Sequence, residues 1–157
     1  VQKIVTCLAF NDQTEEAVNL YVSLFKNSKI LSLMRSDSDG PVAKGKVLHV
    51  AFQLDGQDFM ALDGGPYFTF AQGMSLVANC ETQEEVDRLW ARLAEGGEPQ
   101  QCGWVKDKFG VSWQIVPTAL GELMQSGNPE KSKAVFDALM KMVKIDIAAL
   151  RQAYAQG

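Results

Sequence analysis

A short helical pattern occurs twice in this chain at a fixed offset, and that repetition narrows the available folds more than any other feature. Glu15, Glu16, Leu20, Tyr21 and Leu24 return as Glu84, Glu85, Leu89, Trp90 and Leu93, each pair 69 positions apart (84 − 15 = 69). In both copies a short apolar segment precedes the helix and strand-like segments follow it. A mixed unit of this kind buries its helix on one sheet face and leaves the other face available.

The first copy reads as follows. Ile4 to Phe10 is apolar and partly β-branched, the composition of a strand. Asn11-Asp12-Gln13-Thr14 interrupts it and offers a helix cap at Asp12, answered by Glu15. Ala17, Leu20, Tyr21, Leu24 and Phe25 then recur at helical spacing. Lys29 to Met34 is a second strand, and Ser36 to Pro41 is a loop by composition. Val47 to Leu54 and Gln57 to Leu62 flank Asp55-Gly56, a dipeptide suited to a two-residue hairpin turn because both central residues need positive φ. Gly64-Gly65-Pro66 ends this half.

The second copy repeats the order. Met74 to Cys80 is strand-like, Thr82-Gln83-Glu84-Glu85 is a capping box, and Val86, Leu89, Trp90 and Leu93 form the apolar helix face. Gly96-Gly97 stops the helix. Gln101 to Lys106 and Val111 to Val116 flank the turn Asp107-Lys108-Phe109-Gly110. Three helical segments follow, Leu120 to Gln125, Pro129 to Met142 with Asn128 as cap, and Ile147 to Tyr154. The expected architecture is α+β: two paired βαβββ modules, over about 3–66 and 74–117, plus a helical extension over 118–157 within a single domain. Two such sheets side by side would enclose a cleft.

Bulk properties exclude some partners. With 157 residues, 46% of them hydrophobic and 22% charged, the chain is an ordinary globular domain. A net charge of −4 with dispersed basic residues argues against nucleic acid. The local excess at Lys131, Lys133, Lys141 and Lys144 reads as a solvated helix face. No apolar run reaches the roughly 20 residues of a membrane helix. Val1-Gln2-Lys3-Ile4 shows no secretory pattern, and Cys7, Cys80 and Cys102 form neither a Cys-x-x-Cys motif nor an even set. A cytoplasmic protein is expected, with Cys7 and Cys80 as small buried hydrophobes. Cys102 has no base near it in sequence and is expected to be inert.

Three stretches carry a resemblance. They are Thr14-Glu15-Glu16-Ala17-Val18 running to Tyr21-Val22-Ser23-Leu24-Phe25, Phe59-Met60-Ala61-Leu62-Asp63-Gly64-Gly65-Pro66, and the run from Cys102 to Pro117. Together they resemble the PhnB-like family of the vicinal oxygen chelate superfamily, which includes glyoxalase I, bleomycin-resistance proteins and extradiol dioxygenases. Members often carry the label 3-demethylubiquinone-9 3-methyltransferase. The resemblance implies paired βαβββ modules and a homodimer. It also implies metal-ligand places on the first and last strand of each module. Those fall at Asp63 and Gln114 on last strands, near Ser75 on the first strand of module two, and near Val5 or Thr6 in module one. Only Asp63 is a strong ligand type, whereas a transition metal needs three or four convergent donors. A site without metal or other cofactor is therefore expected.

The remaining candidates come from residue chemistry. His49 is the only histidine, hence the only side chain whose ordinary pKa suits proton transfer near neutrality. It reads either as a catalytic group in the cleft or as a strand histidine bonded to a neighbour. A plain Asp55-Gly56 turn pairs Leu54 with Gln57, sets His49 opposite Leu62 and leaves Asp63 on the other face. One bulged residue would instead make a His49–Asp63 dyad. Aspartate–glycine favours the plain turn. Asp63 itself reads as a catalytic or ligand-binding carboxylate, or as an ordinary turn cap. Trp104, with Tyr67, Phe68 and Phe70, is expected to wall an apolar ligand, the alternative being core or dimer packing. Trp90 and Trp113 fit core positions. Gln114 alternates with Trp113 and Ile115 and should face the cleft, and Ser75 is counted with it among the ligand-binding candidates.

Two functions follow. The chain either sequesters a small, partly apolar molecule in the cleft, or acts on one as a metal-independent isomerase or lyase through His49 or Asp63. Methyl transfer fits less well, because S-adenosylmethionine sites commonly use a glycine-rich strand-to-helix turn in a parallel sheet, and none is present.

Overall fold

A computed structural model describes residues 2–157; Val1, at the start of the N-terminal segment read above, lies outside the described residues. The chain divides into two compact units, one running to Thr69 and the other starting at Phe70.

The first unit holds β1 (Thr6–Phe10), α1 (Thr14–Leu24), β2 (Lys29–Arg35), β3 (Val47–Leu54) and β4 (Gln57–Asp63), followed by a single 3-10 turn at Gly65–Tyr67. Its sheet order is β1-β4-β3-β2, with β1 parallel to β4 and the other pairs antiparallel. The second unit holds β5 (Leu76–Cys80), α2 (Gln83–Ala94), β6 (Glu98–Pro99), β7 (Trp104–Lys106) and β8 (Ser112–Pro117), in the matching order β5-β8-β7-β6. The helices α3 (Thr118–Met124), α4 (Pro129–Leu139) and α5 (Ile147–Gln156) complete it. Two βαβββ units and a helical extension are thus present, as the repeat predicts.

Each helix covers one face of its own sheet. In the first unit Ala17, Val18, Tyr21 and Leu24 of α1 are buried with Leu8, Phe10, Val50, Phe52 and Ala61. In the second, Val86, Leu89 and Leu93 of α2 are buried with Val105, Trp113 and Ile115. Full burial of such side chains contributes about 1.5–3 kcal/mol each, enough to fix which face is inward. The Asp55-Gly56 turn is the plain one: φ is 50° and 78°, Leu54 pairs with Gln57, and His49 pairs with Leu62.

Several local expectations are corrected by longer-range partners. The first helix has no side-chain cap; it follows Gln13, while Asp12 takes φ 60° and pairs with Lys46 at 3.4 Å. Glu15 does not close a capping box because Arg35 holds it through two bonds of 2.6 and 3.0 Å. The strand expected from Gln101 begins only at Trp104, since Cys102 and Gly103 have φ of 60° and 86° and break the extended run. The strands expected from Ile4 and Met74 begin two residues later, and α4 stops at Leu139 rather than Met142. Trp90 and Leu20 are only half-buried, and Cys7 is exposed rather than buried.

The extension has a small core of its own, in which Val135, Ile145 and Leu150 are fully buried among Leu120, Leu139, Met142 and Tyr154. Asn128 and Asp146 cap α4 and α5 by accepting from the N–H groups of Lys131 and Ala149.

Candidate functional site

The helix-free faces of the two sheets carry most of the residues that can meet a ligand. Strand alternation decides which they are. In the second unit Trp113 and Ile115 point to α2, so Gln114 and Val116 point away from it. Val105 likewise points to α2, which turns Trp104 and Lys106 outward. Trp104 pairs directly with Gln114, and Val77 of β5 pairs with Gln114 on the other side. The Gln114 Nε2 donates to the Ser75 Oγ at 3.0 Å. The structure therefore brings Ser75, Trp104 and Gln114 onto one open face, with Val77 left 51% exposed among them. Lys106 joins this face opposite Glu98 of the edge strand β6. Val77, Lys106 and Val116 were not singled out from sequence, although the alternation that placed Gln114 also places them.

The open face of the first unit holds His49. Val50 and Phe52 are buried toward α1, so His49, Ala51, Met60 and Leu62 lie on the opposite face, with Met34 of β2 across from His49. The imidazole is half-buried and has no hydrogen-bond partner among the described residues.

Asp63 does not share that face. It pairs with Phe10, whose side chain is buried toward α1, and its carboxylate is occupied by the backbone. Oδ1 accepts the N–H of Gly65 at 2.9 Å and Oδ2 that of Asp12 at 3.2 Å. A depression of ≈ 320 Å³ beside it is lined by Asp12, Thr14, Glu15, Glu16, Lys46, Val47 and Asp63. It lies at the start of α1, on the helix-covered side, and Asp12, Glu15 and Asp63 are each engaged as described. Arg35 holds the Glu15 carboxyl below its usual range. The His49–Asp63 dyad is absent, as a plain turn requires.

The aromatic candidates separate. The Phe68 ring lies against Gly64, where a Cβ would stand 2.4 Å from its Cδ2 and 3.4 Å from the Cβ of Ala9. Ala9 pairs with Leu62 and belongs to the His49 face. Tyr67 is 88% exposed. Phe70, in the second unit, is half-buried and lies near Gly110.

One residue missed from sequence holds the β7–β8 turn. Asp107 is 3% exposed, and its Oδ1 accepts from the N–H groups of Phe109 and Val111 while Oδ2 accepts from Trp113 Nε1 at 3.0 Å. An aspartate three residues before a glycine was the available signal. Cys80 is buried, and burial together with Glu85 pushes its thiol up to about 12, so it stays protonated.

The metal that the resemblance implies does not suit these donors. Ser75 and Gln114 are neutral and bonded to each other, Asp63 faces α1, and Thr6 has the same parity as the inward Leu8. Among the described residues no three His, Cys, Asp or Glu converge on one point.

The sequence model of the 3-demethylubiquinone-9 3-methyltransferase family matches residues 2–116. A solved PhnB protein from Bacillus cereus bearing the same methyltransferase name is 43% identical, with 74% of this chain and 99% of that one covered at a TM-score of 0.70. The protein PA1353 from Pseudomonas aeruginosa is 27% identical, covered at 74% and 98%, with a TM-score of 0.62. No protein of curated function matches. The family model stops at residue 116, so the helical extension lies beyond it.

Proposed function

This chain belongs to the PhnB-like, 3-demethylubiquinone-9 3-methyltransferase family, and on that premise we propose that it binds a small, partly apolar molecule without a catalytic metal. The observation that carries this reading is the open face of the second unit. There the indole of Trp104 and an exposed Val77 flank Gln114, which with Ser75 forms a pair that offers hydrogen-bonding groups of fixed direction. Aromatic and aliphatic side chains around a few oriented polar groups are the lining that small-molecule sites favour.

The family name refers to methyl transfer, and we do not extend that chemistry to this chain. Its strand-to-helix connections, Asn11–Gln13 and Glu81–Thr82, contain no glycine, and both sheets are mixed rather than parallel. The alternative enzyme reading, a metal-independent isomerase or lyase, keeps His49 as its acid–base group, because that imidazole stands on an open face while Asp63 faces α1.

Two further parts of the reading concern the setting. A homodimer is supported by β2, an edge strand exposed along its whole length that shows Ile30, Leu31, Leu33 and Met34 to solvent. A cytoplasmic location accords with free thiols at Cys7, Cys80 and Cys102. Among the described residues no helix is long and apolar enough to cross a membrane.

A thermal-shift screen of small aromatic and aliphatic metabolites, followed by titration of each hit into Trp104→Ala and Gln114→Ala, tests the proposal. Weaker binding in both variants supports it. Hits that bind both variants as they bind the parent chain would overturn the assignment of this face.

A further inference from the structure

The helical extension is fastened to the second unit at the turn that precedes Trp104. Residues 140–146 connect α4 to α5 as a strap that leads into Ile147, the first residue of α5. The N–H groups of Cys102 and Gly103 donate to the carbonyls of Met142 and Val143, each at 2.8 Å. Farther along the strap, Gln83 of α2 donates through Nε2 to the Ile145 carbonyl at 3.1 Å and accepts the Ile147 N–H through Oε1 at 2.8 Å. Lys144 pairs with Asp87 of the same helix at 2.8 Å. Ile145, fully buried, presses against Gly103, where a Cβ would lie 2.7 Å from its Cδ1 and 3.0 Å from the Ile115 carbonyl oxygen.

These contacts converge on a backbone that needs support. Cys102 and Gly103 both have positive φ, a region that costs a residue with a side chain free energy and persists when surrounding structure holds it. Gly103 is also tied from the sheet, through its carbonyl to the N–H of Ile115 at 2.8 Å. The next residue is Trp104, the first of β7.

We propose that the strap is a positioning device for Trp104, with Gln83 and Ile145 as the positioning residues that hold it closed. The inference rests on the reading of Trp104 as a ligand contact, and it gives the extension a role that the βαβββ repeat does not supply. The strap fixes the Cys102–Gly103 turn, the turn fixes where β7 begins, and the indole is thereby held over the open face.

The test uses the full chain labelled with 5-fluorotryptophan, whose three indoles, Trp90, Trp104 and Trp113, give separate fluorine resonances assigned by Trp→Phe variants. In the double variant Gln83→Leu, Ile145→Ala, amide exchange at Cys102 and Gly103 is expected to quicken by about tenfold. The Trp104 resonance should shift or broaden, while that of Trp113, held by Asp107, stays in place. Unchanged exchange at those two amides would overturn the proposal, and so would faster exchange with an unmoved Trp104 resonance. If the double variant does not fold, Gln83→Leu alone is read by the same two signals. Neither signal involves a ligand, so a failure of Trp104→Ala to affect binding would count against the function and leave the strap to be judged separately.

Discussion

The side-chain amide of Gln114 donates to the hydroxyl of Ser75 across the parallel pair β5–β8, at 3.0 Å. Both positions are ones where resemblance to the vicinal oxygen chelate enzymes places metal ligands. Here the two bond each other, and Gln114 lies across from Trp104 on the neighbouring strand. The same two strand positions thus carry a neutral pair bonded to each other rather than two free metal donors.

Trp104→Ala should lower affinity for a screened hit by about five- to tenfold, the loss expected of one aromatic contact worth about 1 kcal/mol. Gln114→Ala should have a smaller effect and should free the Ser75 hydroxyl. Isothermal titration with both variants checks the ranking. A larger loss in Gln114→Ala would mean that polar recognition dominates.

Asp63→Ala should destabilise the fold by about 1–3 kcal/mol, because the N–H groups of Gly65 and Asp12 lose their acceptor. His49→Ala should leave stability within about 0.5 kcal/mol, as expected of a side chain away from such networks. Urea denaturation of the two variants is the measurement. Equal stability losses would contradict the separation of the two residues onto different faces.

Asp107→Ala is expected to cost about 2–4 kcal/mol, since two backbone N–H groups and the Trp113 indole are left without their carboxylate. Asp107→Asn should cost less but not zero. Its amide oxygen can still accept from the turn, while its NH2 would face the Trp113 N–H, donor against donor. Near-ultraviolet circular dichroism of Trp113 and denaturant midpoints report both effects.

Acid should weaken the tie between the strap and α2. The Lys144 ammonium, with the Gln83 amide, holds the Asp87 carboxyl below its ordinary value. A carboxyl lowered in the folded state stabilises above its unfolded pKa, about 4, and that contribution is lost as pH falls through the folded value. Both partners are over 40% exposed, so the effect should stay within about 1 kcal/mol. The melting-temperature difference between the parent and Asp87→Asn should be constant above about pH 5 and shrink progressively as pH falls below the unfolded value of about 4. A difference that persists at the acid end would rule out the ion pair as its source.

The repeat, the helix faces, the Asp55-Gly56 turn and the caps at Thr82 and Asn128 were legible because each is settled within a few residues. Positive φ at a two-residue turn, an apolar stripe at helical spacing and an N-cap side chain are short-range demands. The hairpin register then followed, and with it the separation of His49 from Asp63. Alternation gave the parity of Gln114 as well. Tertiary structure decided the rest, since a polar side chain takes whichever partner the fold brings within about 3 Å. Asp12 and Asp63 are 51 positions apart, and Glu15 and Arg35 are 20 apart. Those distant partners undid the expected cap of the first helix and turned Asp63 into a brace. The break at Cys102–Gly103 had the same origin, because its positive-φ backbone is held by carbonyls some 40 residues later in the chain.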